Sequence, residues 1–382
     1  MDDILISGAS VAGPALAYWL SRYGFNVTVV EKAPALRGGG YAVDFRGRVH
    51  LDVLARMGLL DVIRSRQTHL SSISCVDGHG SPVARMPAEI FAGDVEILRG
   101  DLGRILYSAT RDSAEYLFGD SITGLASQAG GVDITFSHAA PRRFDLVIGA
   151  DGLHSQVRRL AFGAGPDVVR DLGYYVSIFA LAGSFGLDRS GVMYSVPGRT
   201  ASVFSAGDQA IAQFYFSSAG VDVESPQKSV AEAFAGVGWR VPELLAAMAD
   251  APDFYFDSVS QVVMDRWSTG RVALIGDAAC AAGPGGNGTG NAVVAAYVLA
   301  GELAAARGDY RTAFARYEQL LRPYVAREQK QATGGSQFLA PATQQKIDQR
   351  NRLFRMLPYL PAKRAIRYLS TRTATAINLP DY

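Results

Sequence analysis

Two short segments of this sequence place glycines and a single carboxylate where strand-like apolar runs end. The segment GASVAG at residues 8–13 follows the apolar run at residues 4–6, and Gly276-Asp277 follows the run at residues 272–275. Glycine leaves the backbone bare for a phosphate or a planar ring, and a helix that begins there presents free N–H groups and a partial positive charge. The chemistry indicated is the binding of an extended, anionic molecule.

The first segment is a dinucleotide-binding fingerprint with one departure, because Ser10 stands where the pattern has its middle glycine. Glu31 ends the next predicted strand, where a carboxylate accepts hydrogen bonds from ribose hydroxyls and repels a 2′-phosphate. The site therefore favours FAD or NAD over NADP, and the alternative is a glycine turn that binds no ligand. The candidate cofactor contacts here are Gly8, Ser10, Val11, Ala12, Gly13, Glu31 and Lys32.

The second segment suits the flavin end of FAD. Asp277 is placed to hydrogen-bond a ribityl chain, and a helix predicted to begin at Gly288 or Thr289 points its positive end at a flavin edge. That end suits the negative charge that a reduced flavin carries near N1. The alternative is a glycine loop without a cofactor. The candidate contacts are Asp277, Gly286, Asn287 and Gly288.

A third segment, FDLVIGADGLHSQVRR at residues 144–159, combines a predicted strand at residues 144–148 with a short helix that Ser155 caps. Asp151 lies at the strand end, where open α/β sheets bind ligands, and Arg158 lies on the helix. The alternative is a turn with a solvated Asp151–Arg158 pair.

Taken in order, GASVAG, DGLHSQVR and GDAACAAGPGGNG resemble the GxGxxG, DGxxSxxR and GDAAHxxxPxxGQG motifs of the class A flavoprotein aromatic hydroxylases, the p-hydroxybenzoate hydroxylase-like family. The length is similar to that of the tetracycline-inactivating and antibiotic-tailoring members. The departures are Ser10, Cys280 for the usual histidine, Asn287 for the glutamine and Ala295 for a frequent aspartate. We expect Cys280 to be a small buried filler rather than a redox thiol.

The resemblance implies an FAD-dependent monooxygenase that uses NADPH or NADH and inserts one atom of O₂ into an aromatic or polycyclic small molecule. It assigns Asp151 and Arg158 to a motif serving FAD and NAD(P)H, and Pro284 to the positioning of flavin and substrate. The further cofactor contacts that it implies are Arg37, Asp44, Arg46 and Arg99. No general base is assigned, and His50 is expected to be structural. The alternatives are an FAD-dependent dehydrogenase or oxidase, and a non-catalytic FAD-binding protein.

Composition narrows the class of protein. The 382 residues predict two domains, and the net charge of +1 gives no reason to expect nucleic acid as a partner. Two cysteines and scattered histidines predict no metal site, and no signal peptide or stable membrane insertion is expected, so a cytoplasmic monomer or weak dimer is the expectation.

The patterns predict an α/β fold in which a Rossmann-like FAD-binding domain carries an inserted antiparallel sheet. We assign residues 1–70, 96–170 and 268–333 to the FAD domain, 71–95 and 171–267 to the substrate domain, and 334–382 to a C-terminal bridging helix and tail. The helix is predicted near residues 344–369. The inserted sheet is expected to cover the flavin, with core packing as the main role of Phe179, Met193, Phe204, Phe214 and Phe216.

Overall fold

The computed structural model describes residues 2–38, 40–87, 93–163, 168–217, 220–284, 287–332, 334–357, 375 and 377–382. Two large sheets organise the chain, a six-stranded and mostly parallel sheet and a seven-stranded and mostly antiparallel one. The predicted α/β fold with an additional antiparallel sheet is confirmed.

The helices precede, connect and cover these sheets. They are α1 (Ala12–Arg22), α2 (Gly47–Arg56), α3 (Leu60–Ser65), α4 (Arg99–Ser108), α5 (Gln156–Phe162), α6 (Pro226–Ala233), α7 (Val241–Ala249), α8 (Asp277–Cys280), α9 (Gly288–Ala305), α10 (Tyr310–Ala332), α11 (Gly335–Leu339) and α12 (Gln344–Met356). None of the helices in the described ranges is both long and apolar enough to cross a membrane.

The six-stranded sheet is parallel except at one edge, where β17 runs antiparallel to β18. Its strands in spatial order are β17 (Ser268–Thr269), β18 (Val272–Leu274), β11 (Leu146–Gly149), β1 (Asp3–Ser7), β2 (Asn26–Glu31) and β7 (Glu115–Phe118). The inner strands are buried on both faces, which explains why they read as continuous apolar runs. The strand predicted at residues 144–148 is divided at Asp145, since Phe144 ends a short strand of another sheet and β11 begins at Leu146.

The seven-stranded sheet has two chemically different faces. Its spatial order is β16 (Tyr255–Val262), β12 (Val169–Leu181), β15 (Gln209–Phe216), β14 (Arg199–Ala206), β13 (Ser190–Val196), β4 (Ser72–Val76) and β5 (Pro82–Pro87). Phe179, Phe214 and Phe216 point outward into a core formed with α6 and α7. Because side chains alternate along a strand, these three residues cannot also cover a flavin on the other face.

Met193 lies in a different cluster, with Phe354 of α12 packed against the far end of the sheet and Phe204 beside it. Core packing is therefore the confirmed role of Met193. The predicted helix near residues 344–369 is present as α12, and residues 358–374 lie outside the described part of the chain.

Two small sheets complete the fold. One pairs β3 (Ala42–Phe45) with β6 (Val95–Leu98), and the other contains β8 (Ile122–Gln128), β9 (Gly131–Phe136) and β10 (Arg142–Phe144).

The first helix approaches the first strand so closely that only glycine fits at residue 13. A Cβ on Gly13 would lie 1.9 Å from the Gly8 carbonyl oxygen, which is backbone and cannot move aside cheaply. We therefore expect Gly13→Ala to lower the free energy of unfolding by about 2 kcal/mol or more, measured by urea denaturation. Gly130→Ala is the control, since nothing lies within 4 Å of its Cβ position. Equal stability of the two variants would contradict this account of the packing.

Candidate cofactor-binding site

The carboxyl ends of four parallel strands form one aligned row. Val30 pairs with Ser7, Ser7 with Gly149, and Gly149 with Leu274, so β2, β1, β11 and β18 end at the same level. The residues beyond this row include Gly8, Glu31, Asp151 and Asp277. Fingerprint residues that are far apart in the chain therefore meet at one sheet edge, the edge where open α/β folds bind ligands.

The first turn is held by Glu31. Its two carboxylate oxygens accept hydrogen bonds from the backbone amides of Ala9 at 2.8 Å and Ala33 at 2.9 Å. Gly8 has a φ of 109°, and a Cβ there would lie 2.5 Å from the Ala150 oxygen. Val11, which precedes α1, makes no side-chain cap, so the helix begins with free N–H groups.

Ser10 and Arg99 meet across this turn. The Arg99 guanidinium donates to the Ser10 hydroxyl at 2.9 Å and lies 5.8 Å from the centre of the Tyr41 ring. Arg99 begins α4, and the neighbouring Asp101 pairs with Arg104 at 2.6 Å. The serine that replaces the middle glycine thus holds a cation beside the turn.

Asp277 begins α8 and lies close enough to Arg99 for the charge of Arg99 to act on its carboxyl. The Asp277 side chain is exposed to solvent, but protein atoms surround much of its carboxyl group. The resulting loss of hydration raises the pKa of the carboxyl, and the charge of Arg99 lowers it. Burial and the charge of Asp257 raise the pKa of Tyr255, and the charge of Arg99 lowers it, so these residues of the seven-stranded sheet lie near Arg99. His154, in the loop after β11, lies 2.9 Å from the Asp257 carboxylate, so the edge strand β16 approaches the carboxyl edge of the six-stranded sheet. We call the region between them the cleft.

The start of α9 forms another wall of the cleft. A Cβ on Gly288 would lie 3.6 Å from the Asp277 carboxylate, and Asn287 precedes the helix without a side-chain cap. Asn287 is buried, and its side chain turns away to Glu328 of α10 at 2.8 Å. Pro284 is half-buried before this helix, and the predicted contact Gly286 lies outside the described residues.

Asp151 and Arg158 belong to the framework of the site. The Asp151 carboxylate accepts hydrogen bonds from the amides of Gln156 and Val157, and Ser155 caps α5 as predicted. The buried Arg158 guanidinium donates to the carbonyl oxygens of Leu153 at 2.5 Å and Ala278 at 2.9 Å. Their observed contacts brace the loop after β11 against α8, and they differ from the solvated pair considered as an alternative.

The other predicted contacts divide into two groups. Asp44 and Arg46 form a half-buried ion pair, and burial raises the pKa of the Asp44 carboxyl despite Arg46. Arg37 and Lys32 are exposed. The structure thus brings Asp44 and Arg46 together and leaves Arg37 and Lys32 pointing to solvent.

His50 is fully buried beside the first turn of α9. Its Nδ1 accepts a hydrogen bond from the Arg46 amide at 3.1 Å, and its Nε2 lies 2.9 Å from the Tyr324 hydroxyl. A Cβ on Gly290 would lie 2.2 Å from the imidazole ring, so glycine makes room for it. Burial lowers the pKa of His50 to about 4. The expected structural role of His50 is confirmed.

Cys280 is also buried, and its thiol lies 3.5 Å from the Gly276 carbonyl oxygen. Burial raises the pKa of this thiol, which opposes thiolate formation and supports the prediction of a small filler.

Sequence reasoning missed Tyr41, Tyr255, Asp257 and Glu328 in and around the cleft. Each lies outside the glycine motifs, on an element that only tertiary packing brings near the cleft. The nearest available signal was Tyr41, which lies in the chain between the predicted contacts Arg37 and Asp44.

The residues present fit FAD. Bare backbone at Gly8, the open start of α1 and the Arg99 cation suit a pyrophosphate, and Asp277 at the start of α9 suits a polyol followed by a planar ring. These elements are arranged along one sheet edge, as an extended dinucleotide requires.

Comparison with known proteins agrees with this fit. Residues 1–168 match the family model described as FAD binding domain. A flavin-dependent monooxygenase from an unknown prokaryotic organism is 38% identical, with 99% of this chain and 98% of that protein covered. An uncharacterised Mycobacterium tuberculosis protein is 43% identical over 91% of this chain and 97% of its own length. The crystal structure of tetracycline destructase Tet(51) superposes with a TM-score of 0.86 at 34% identity, covering 100% and 99% of the two chains.

The fold and the site define a flavoprotein built on an FAD-binding domain. The chain belongs to the flavin-dependent monooxygenase family, and the protein is accordingly an enzyme, a flavoprotein monooxygenase.

The depressed pKa of His50 predicts a pH-dependent stability. Between pH 6.5 and about 4 the unfolded chain protonates this histidine and the folded chain does not, so the free energy of unfolding falls as the pH falls through that window. The loss amounts to about 3 kcal/mol at most. Urea titrations at several pH values should show that His50→Asn lacks this component.

Exposed His138 provides the control, since His138→Asn should keep the pH slope of the wild type. Parallel pH profiles for the wild type and His50→Asn would show that the imidazole does not remain neutral on folding.

Proposed function

We propose that this enzyme uses NADPH or NADH to reduce bound FAD and inserts one atom of O₂ into an aromatic or polycyclic small molecule. The observation that carries the proposal is the row of strand ends that aligns Gly8, Glu31 and Asp277 beside Arg99. Similarity to a tetracycline destructase supports a polycyclic substrate, in antibiotic modification or natural-product tailoring. We further propose a cytoplasmic monomer or weak dimer.

The role that we propose for each residue in FAD binding follows from its position at the sheet edge. Glu31 binds the adenosine ribose, Arg99 and the first turn bind the pyrophosphate, and Asp277 binds the ribityl chain. The proposed cofactor contacts are Gly8, Ser10, Val11, Ala12, Gly13, Glu31, Lys32, Arg37, Asp44, Arg46, Arg99, Asp277, Gly286, Asn287 and Gly288, with Asp151 and Arg158 bracing the site from behind.

When bound, the flavin supplies the electron transfer and the oxygen activation. The chain binds and orients the two reactants, and the start of α9 offers free N–H groups where negative charge develops. The seven-stranded sheet covers the cleft and excludes water, and Pro284 is proposed to position the substrate. Residues 1–70, 96–170 and 268–333 are proposed as the FAD domain, 71–95 and 171–267 as the substrate domain, and 334–382 as the bridge between them.

Substrate-dependent oxygen consumption tests the activity. Purified protein with FAD is titrated with NADPH and with NADH against a panel of phenolic polyketides and tetracyclines, and product masses are measured. We expect one panel member to accelerate NAD(P)H oxidation and to gain one oxygen atom. Reduction without oxygen transfer to any substrate would favour a dehydrogenase or oxidase.

Asp277→Ala tests the placement of the cofactor. Removal of a charged hydrogen-bonding partner should weaken FAD binding by about 10-fold to 100-fold, measured by flavin fluorescence, because such a bond contributes about 1.5–3 kcal/mol. Asp250→Ala, at an exposed position after α7, should bind FAD like the wild type. An Asp277→Ala protein whose Kd for FAD equals that of the wild type would contradict the placement.

A further inference from the structure

A buried carboxylate that the proposed function does not use stands at the N-terminus of α9. Glu328 of α10 has none of its surface exposed. Its Oε2 accepts hydrogen bonds from the Asn287 backbone amide at 3.2 Å and from the Asn287 side-chain Nδ2 at 2.8 Å. Glu328, which belongs to the neighbouring helix α10, therefore acts as the capping side chain at the start of α9.

Burying a carboxylate is costly unless strong donors surround it. Here two N–H groups of one residue converge on a single oxygen, and the positive end of α9 adds a favourable field. The first turn of α9 contains no acidic residue of its own, so the carboxyl groups near this helix start are Glu328 on one neighbour and Asp277 on another, and each adds negative charge when ionised.

That charge opposes the field that the helix would apply to a bound ligand. A helix start stabilises negative charge placed before it, and a carboxylate at the same helix start cancels part of the effect. The cancellation is weakly screened, since both Glu328 and Asn287 are buried.

We propose that Glu328 is ionised in the folded protein and sets the electron affinity of the flavin by disfavouring its negatively charged reduced form. The inference rests on the proposed function, which places the flavin edge at Asn287 and Gly288. Glu328 contacts Asn287 rather than the cofactor, so it is a positioning residue that also determines the local charge.

The midpoint potential of the FAD-bound, full-length protein tests this role, together with the Kd for oxidised FAD. Glu328→Gln keeps an acceptor oxygen and removes the charge. We expect Glu328→Gln to bind reduced FAD more tightly, relative to oxidised FAD, by about tenfold. The midpoint potential of the bound FAD then becomes about 30 mV more positive, since two electrons are transferred. Glu328→Asp keeps the charge but moves it away from the start of α9. The midpoint potential should therefore also become more positive, by a smaller amount.

Two variants on the same helix serve as controls. Tyr324→Phe disturbs the contact with His50 without changing charge, and Glu318→Gln removes a carboxylate that pairs with Arg322 at 2.6 Å. Neither should move the potential by a comparable amount, although both are expected to lower the melting temperature.

An unchanged potential in Glu328→Gln with FAD bound would overturn the inference and leave Glu328 as a structural cap. If Glu328→Gln does not fold, Glu328→Asp decides, and the absence of a positive shift there overturns it equally. A wild-type chain that binds no FAD would overturn the proposed function and this inference together.

Discussion

Hydrogen bonding between four parallel strands is the interaction on which the site depends. The Gly8 amide donates to Val30, the Ala150 amide to Ser7 and the Ile275 amide to Gly149, at 2.7–2.9 Å. This ladder sets the level at which each strand ends. Because the motifs follow directly after the strand ends, a slip in register would separate Asp277 from the first turn. The backbone, rather than any single side chain, therefore assembles the cleft.

Around that sheet edge, the charge of one group changes the pKa of another. Arg99 faces the carboxylate of Asp277, and Asp257 approaches from the second sheet and raises the pKa of Asp277. On the other side of α9, His50 is kept neutral by burial and holds the backbone of Arg46. In the described part of the chain, Arg99 is thus accompanied by several titratable groups whose pKa values are shifted by burial.

The second sheet shows how one element serves two purposes. Its outward face buries Phe179, Phe214 and Phe216 against two helices, and this core is independent of the cofactor cleft. Its inward face brings Tyr255 and Asp257 to the cleft at the edge strand β16. Residues on the inward face can therefore change while the stability of the sheet is maintained by the outward face.

The sequence by itself determined the α/β class through its alternating apolar runs. It further determined the first turn, the start of α9 and the Ser155 cap, because each of these depends on residues adjacent in the chain. It also pointed to the residues that reach the shared sheet edge. Only the tertiary structure decided that Arg99 bonds Ser10, that Arg158 braces α8, and that Glu328 meets Asn287. Those contacts join residues separated by tens to over a hundred positions, and their existence follows from helix and sheet packing. A pattern of types and spacings carries no information about which distant helix faces a given turn.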